Sequence, residues 1–270
     1  MTNKLSKVEI GIIGGSGFYE FIENGQEMAI DTKWGRPSDN IVIGAIEGKR
    51  VAFLPRHGKK HIFPPHQVPY QANIEALKKV GVKYIIAPSS CGSLQAKIKP
   101  GDFVICDQFV DRTYGREDTY YHGPEVIHII GADPYCQSLR KIAVKACQSL
   151  KIPCHEKGTA VVINGPRFST RAESAWFTKM GWDVVNMTQY PEVVLAKEQD
   201  MHYVNISLAT DYDAGVVAEE NLPPVNIEEV LTTFKNNIER VRGLIKEIIR
   251  NLPLDNLDCD CHNTLKNSKL

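Results

Sequence analysis

Residues 202–215 read HYVNISLATDYDAG. The first eight are rich in residues that favour a buried strand. Asp211 and Asp213 then follow two residues apart, where that strand should end. Carboxylates at the mouth of a buried strand are costly unless a partner or ligand offsets the burial. The stretch therefore predicts a sheet with a functional site at its strand ends.

Outward from it, strand-like and helix-like runs alternate. VEIGIIGG (8–15), RVAFLPRHG (50–58), KYIIAPSS (83–90), DFVICDQFVD (102–111), KGTAVVINGPRF (157–168) and DVVNMT (183–188) read as strands breaking at polar or glycine-rich turns. YQANIEALKKVG (70–81) reads as a helix closed by Gly81, RAESAWFTKMG (171–181) as a second, and PEVVLAKEQD (191–200) as a third with proline in its first turn. From Asn226 a long amphipathic helix is expected, with Glu229 three residues after the cap. Ile227, Val230, Leu231, Phe234, Ile238 and Val241 recur along it at helical spacing. Without repeats or linkers, the pattern predicts one α/β domain over 1–252 and a polar tail over 253–270.

The 270 residues hold 32 basic and 32 acidic side chains, so no nucleic-acid or membrane-surface attraction is implied. MTNKLSKVEI (1–10) has no apolar core of signal-peptide length, and no apolar run nears the roughly 20 residues of a membrane span. A cytoplasmic protein is the expectation. Of seven cysteines, Cys91, Cys106, Cys136, Cys147 and Cys154 stand singly and read as small buried hydrophobes. Cys259 and Cys261, in CDCH (259–262), are open to three readings: a metal clip, a redox pair or an inert tail. The absence of a second Cys/His pair at metal-site spacing argues against zinc.

GIIGGSG (11–17) lacks both the dinucleotide fingerprint and a phosphate-loop lysine, and by itself reads as a tight turn. Its amides and the Ser16 hydroxyl could nest an anion. The case strengthens because Arg56 and His57, Ser89 and Ser90, and Thr188 end other strands. Arg56 offers a planar fork for phosphate, and the hydroxyls can hold further oxygens. Ligands in open α/β sheets gather at carboxyl strand ends. A phosphate or carboxylate site follows.

GIIGGSG, PSDNIVIG (37–44), LPRHGKKH (54–61), YQANIEALK (70–78), CGSL (91–94), PGDFVICDQFVDRT (100–113), GPRFSTRAES (165–174), NMTQYPEVVLAKE (186–198) and ATDYD (209–213) together resemble the trimeric branch of the purine nucleoside phosphorylase family. The resemblance is to its methylthioadenosine-cleaving members and runs in order from about Ile10 to Leu231. It implies a single-domain α/β fold whose central mixed sheet curls toward a barrel flanked by helices. It implies phosphorolysis of 5'-methylthioadenosine with inorganic phosphate as co-substrate and no metal or organic cofactor. It also implies a homotrimer, alone or as a dimer of trimers.

Position by position, the resemblance makes Ser16, Arg56, His57, Ser89, Ser90 and Thr188 phosphate ligands. Met187 lies against the ribose, Phe168 on the base, and Cys91 and Gly92 join the substrate-binding positions. Asp211 and Asp213 hold the purine. His128 would come from a neighbouring subunit, and Ile227, Val230 and Leu231 would meet the 5' methylthio group. The segment 214–225 reads either as a gate over that pocket or as a surface loop.

Cleaving a ribose–purine bond leaves negative charge on the base, which a protonated carboxyl can relieve. Two nearby carboxylates with little water cannot both ionise easily, so one keeps its proton. Asp211 is expected to be the principal base-contacting acid, with Asp213 completing the network. Relatives that act on 6-oxopurines carry asparagine at the Asp211 position and glutamate where this chain has Ser169, so a 6-aminopurine is favoured. The rivals are a phosphorylase of inosine, guanosine or methylthioinosine, a hydrolase, and an inactive purine-binding assembly module.

Overall fold

β5 (Tyr84–Ser93) is the strand on which the chain is organised. β11 (His202–Asp211) runs parallel to it along one edge, from His202 opposite Tyr84 to Asp211 opposite Gly92. The other edge is shared. β1 (Ile10–Gly14) pairs with Tyr84, Ile85 and Ile86, and β10 (Val184–Asn186) pairs antiparallel with Gly92 and Ser93. The strand forks the sheet, and residues 87–91 lie at the fork.

The structure, a computed structural model, describes residues 8–15, 22–214, 226–254 and 257–269. From β1 the sheet continues through β4 (Lys49–Pro55), β3 (Ile41–Ile46) and β2 (Glu23–Met28). From β10 it continues through β9 (Thr159–Ile163) to β7 (Gln108–Arg112). β11 leads to β6 (Phe103–Val104) and β8 (Cys154–His155), giving one mixed sheet of 11 strands. The stretch 102–111, read from sequence as one strand, is β6 and β7 in separate parts of this sheet. β2, β3 and β8 were not singled out as strands.

Alternation along the strands feeds two apolar layers. Ile13, Leu54, Ile85, Ala87 and Tyr203 point into one, which α1 (Tyr70–Lys79) and α4 (Gln189–Lys197) cover with Ile74, Leu77, Val193 and Leu195. Ile12, Phe53, Ile86, Val204 and Ile206 point into the other, beneath α2 (Gln137–Ser149) and α5 (Ile227–Asn251). α3 (Arg171–Lys179) carries a capping box between Thr170 and Glu173. α2 was missed from sequence.

Gly11 lies in β1, inside the run 8–15 read as a strand, and a Cβ there would sit 2.7 Å from Val82 Cγ1, so glycine serves close packing. The tail is not a free polar extension. Residues 257–269 dock on the body through Ser138 Oγ to Asp258 O (2.6 Å), Leu265 N to Asp200 Oδ1 (2.9 Å) and His128 N to Ser268 O (3.0 Å). α5 itself divides in two. Val241, Leu244, Ile245, Ile248 and Ile249 are buried, while Ile227 and Leu231 are exposed near its start.

Candidate active site

The fork opens a cleft of about 410 Å³. Proline and glycine edges, the ends of β5 and β11, the loop after β10 and the first turns of α5 line it. Its lining joins the acids Asp211 and Asp213, the anion donors Arg56, His57, Ser89, Ser90 and Thr188, and the apolar side chains of Ile163, Phe168, Val185 and Met187.

At the acids the ladder between β5 and β11 is irregular between Ala209 and Asp211, a bulge that re-aims the strand end. Asp211 accepts from the Thr210 hydroxyl at 2.7 Å. Burial, reinforced by Asp213, pushes its carboxyl up to about 7. Asp213 is raised too, chiefly by burial. Its Oδ2 is buried and without a hydrogen-bond partner, as are the hydroxyls of Ser169 and Ser174. Those two hydroxyls lie near enough to favour its charged form but make no well-formed hydrogen bond to it. A buried acid oxygen beside two uncommitted hydroxyls is a group awaiting a ligand donor.

Asp213 also has φ +29°, a conformation that non-glycine residues seldom adopt. Gly92 makes room for it, because a Cβ there would lie 3.1 Å from Asp213 Cα. Backbone held this way at a cleft is a common mark of function.

Among the anion donors, Arg56 is 3% exposed. Its use differs from the sequence expectation, because the fork grips Glu192. Nε donates to Oε2 at 2.7 Å and Nη2 to Oε1 at 2.8 Å. Nη2 also reaches Ile13 O, and Nη1 reaches Pro88 O. A guanidinium has five N–H donors, so one on Nη1 remains for the cleft. Glu192, fully buried, fixes the guanidinium and also accepts from Tyr203 Oη at 2.7 Å.

His57 departs similarly. Its Nδ1 lies 2.8 Å from Phe63 O, an atom that can only accept, so Nδ1 carries the proton and Nε2 is an acceptor. Burial, then Arg56, lowers its pKa to about 4, leaving the ring neutral at pH 7. It suits the hydroxyl of a hydrogen phosphate better than a bare oxygen. His61 stacks on it at 4.5 Å.

Ser89 Oγ accepts from Asn205 Nδ2 at 3.0 Å and Asn186 Nδ2 at 3.4 Å, which frees its own proton to donate. Asn186 Oδ1 accepts from Thr188 N and Gln189 N at 2.7 and 2.8 Å, while Nδ2 donates to Ser90 O at 2.9 Å. This asparagine thus ties both hydroxyl loops together. Asn186, Asn205 and Glu192 were missed from sequence. Asn205 left a signal, since asparagine in a buried strand is costly without partners.

The cleft brings together Arg56, His57, Ser89, Ser90, Cys91, Gly92, Phe168, Met187, Thr188, Asp211, Asp213, Val230 and Leu231. Ser16 and residues 215–225, within the 214–225 segment read as either a gate or a surface loop, lie outside the described residues. Ile227 is 63% exposed and is not part of the lining, whereas Phe234, read as a core residue, is. The start of α5 overshoots the cleft mouth by a turn. His128 does not line its own chain's cleft; it sits beside the tail. Gly165, at φ +63°, lets Met187 approach, since a Cβ there would meet Sδ at 2.7 Å.

Residues 9–250 match the phosphorylase superfamily. The chain is 53% identical over 258 residues to the S-methyl-5'-thioadenosine phosphorylase of Pyrococcus horikoshii, covering 96% of this chain and 98% of that one. It is 44% identical over 270 residues to the purine nucleoside phosphorylase of Streptomyces coelicolor, covering 97% and 95%. The solved methylthioadenosine phosphorylase from Schistosoma mansoni in complex with adenine is similar at TM-score 0.90 and 37% identity, over 97% of this chain and 99% of that one. A single-residue variant of that enzyme in complex with methylthioadenosine is similar at TM-score 0.89 and 37% identity, over the same shares.

Proposed function

This chain belongs to the phosphorylase superfamily, and from that premise we propose how its cleft works. It is a pentosyltransferase that converts 5'-methylthioadenosine and phosphate reversibly to adenine and 5-methylthioribose-1-phosphate. One observation carries the assignment of roles: a single cleft joins Asp213 and Asp211, whose carboxyl burial pushes up to about 7, to an anion cradle and an apolar wall.

With phosphate at Arg56, His57, Ser89, Ser90 and Thr188 and the purine at Asp211 and Asp213, the sugar lies over Met187. The bond from C1' to N9 breaks and its electron pair leaves with the base. Asp211, about half protonated at pH 7, gives its proton to N7 of adenine, so the base departs neutral. Phosphate below the ring stabilises the oxocarbenium-like carbon and then bonds to it. The phosphate proton passes to His57 Nε2 or to water and returns to Asp211, so the atoms balance. Phosphate is the second substrate, and no metal or organic cofactor enters these steps.

Asp211 as carboxylate accepts from the 6-amino group, and as acid it donates to N7. This pairing favours adenine over 6-oxopurines, with Ser169 leaving Asp213 uncrowded. The Streptomyces coelicolor relative carries the name purine nucleoside phosphorylase, so the rival reading, phosphorolysis of inosine or guanosine, is put to the same test. The test is adenine release from methylthioadenosine with and without phosphate, with inosine run alongside. Phosphate-dependent release and silence on inosine support the assignment. Preference for inosine overturns the role of Asp211, and release without phosphate overturns the cradle.

A homotrimer, single or paired, acting in the cytoplasm completes the proposal, with His128 reaching a neighbour's cleft. Sedimentation at micromolar concentration checks the assembly. No helix among the described residues is long and apolar enough to cross a membrane.

A further inference from the structure

At the opposite end of β11 from the acids, four ligand atoms converge. Cys136 Sγ lies 3.4 Å from His202 Nδ1 and 3.5 Å from Cys259 Sγ, and Cys259 Sγ lies 3.2 Å from the same nitrogen. Cys261 joins them, all four atoms lying within 4.8 Å of one another. Zinc bonds of about 2.3 Å to sulfur and 2.0–2.1 Å to nitrogen give tetrahedral edges of roughly 3.5–3.8 Å, close to the separations here. The sequence argued against zinc because CDCH had no partner pair. The fold supplies that pair from two elements far away in the chain.

We propose that Cys136, His202, Cys259 and Cys261 form a structural zinc site that fastens the C-terminal tail to the body. Three sulfurs and one imidazole at tetrahedral spacing suit zinc. Four protein ligands leave no open coordination position, so the site is structural rather than catalytic. Cys136 is the N-cap of α2, where its sulfur accepts from Leu139 N at 3.4 Å, so the helix start fixes the ligating atom. His202 stacks on Tyr84 at 4.7 Å, which fixes the plane of the ligating ring. Metal binding sends the remaining thiol protons to solvent and leaves a net charge of −1, and Lys197 lies within electrostatic range of Cys261 to offset it.

The test is elemental analysis of the full chain, expressed with zinc and purified without chelator, together with thermal melting. The expected result is about one zinc per chain that survives dialysis. Cobalt in its place should give the visible bands of a tetrahedral thiolate site. Cys259→Ser and Cys261→Ser should each lose most of the metal and melt several degrees lower, with phosphorolysis at moderate temperature unchanged. These tail variants keep the test sound if Cys136→Ser fails to fold. Metal-free protein that titrates with fewer than its seven thiols overturns the proposal in favour of a disulfide. Zinc retained in the Cys259→Ser, Cys261→Ser double variant overturns it as well, by placing the metal elsewhere.

Discussion

β11 begins at His202 among three cysteines and ends at Asp211 beside Asp213. The two ends are nine residues apart, roughly 30 Å at about 3.3 Å per residue. Both gather polar groups that apolar burial should reject, and each handles the cost differently. At the amino end the groups face one another, close to ligand distances, beneath a docked tail. At the carboxyl end Asp213 Oδ2 stays unpartnered, its backbone is strained, and burial pushes the Asp211 carboxyl up to about 7. Mutual satisfaction marks a structural cluster, and dissatisfaction held in place by a rigid strand marks a site that turns over substrate.

The sharpest way to break this contrast is Asp211→Asn. It should cut kcat/KM for methylthioadenosine by about 10²–10⁴ in a phosphate-dependent adenine-release assay. The same variant should be more stable than the parent at alkaline pH. A carboxyl raised from 3.8 to about 7 leaves the folded state unpenalised below about 4, loses stability as pH climbs to 7, and carries the full penalty above it. Three units correspond to about 4 kcal/mol at most, so the melting-temperature gap between variant and parent should widen from pH 5 to pH 8. For the parent enzyme, kcat/KM should fall as pH rises through about 7.

Arg56→Lys comes next. Losing the fork on Glu192 should raise the KM for phosphate at least about tenfold and cost about 3 kcal/mol in denaturant unfolding. Gly92→Ala should push Asp213 aside and lower kcat up to about 10²-fold with substrate binding less affected. Leu231→Asn should erode the preference for methylthioadenosine over adenosine by about tenfold. The smallest effect is the most telling for the comparison. Stability changes from Asp211→Asn and Cys261→Ser should add within about 0.5 kcal/mol. A larger coupling would mean that β11 transmits between its ends.

What sequence reading recovered followed from local pattern. Strand-length apolar runs, the glycine closing α1 and the periodicity of α5 are local signals, and Asp211, Asp213, Ser89 and Thr188 stood out as polar residues at strand ends. What it missed depends on partners distant in the chain. Glu192 carried no sequence signal of its own, because the Arg56 fork that closes on it lies 136 residues away. Cys136 and His202 had no reason to be linked to CDCH, being 123 and 57 residues from Cys259. α2 escaped because its opening cap is a cysteine, an atypical start signal. Ile227, carried over by resemblance along with Val230 and Leu231, lies one helical turn outside the lining that holds the other two.

The division along α5 bears on how such an enzyme diversifies. Val241 to Ile249 are locked into the core, while the first two turns, over the cleft, are largely open to solvent. With Val230 and Leu231 at the 5' substituent, as proposed, substitutions there should re-tune which substituent is accepted at little thermodynamic risk, because few buried contacts change. A library confined to those turns should keep most of its members folded, and new specificities should be found there sooner than along the rest of the helix.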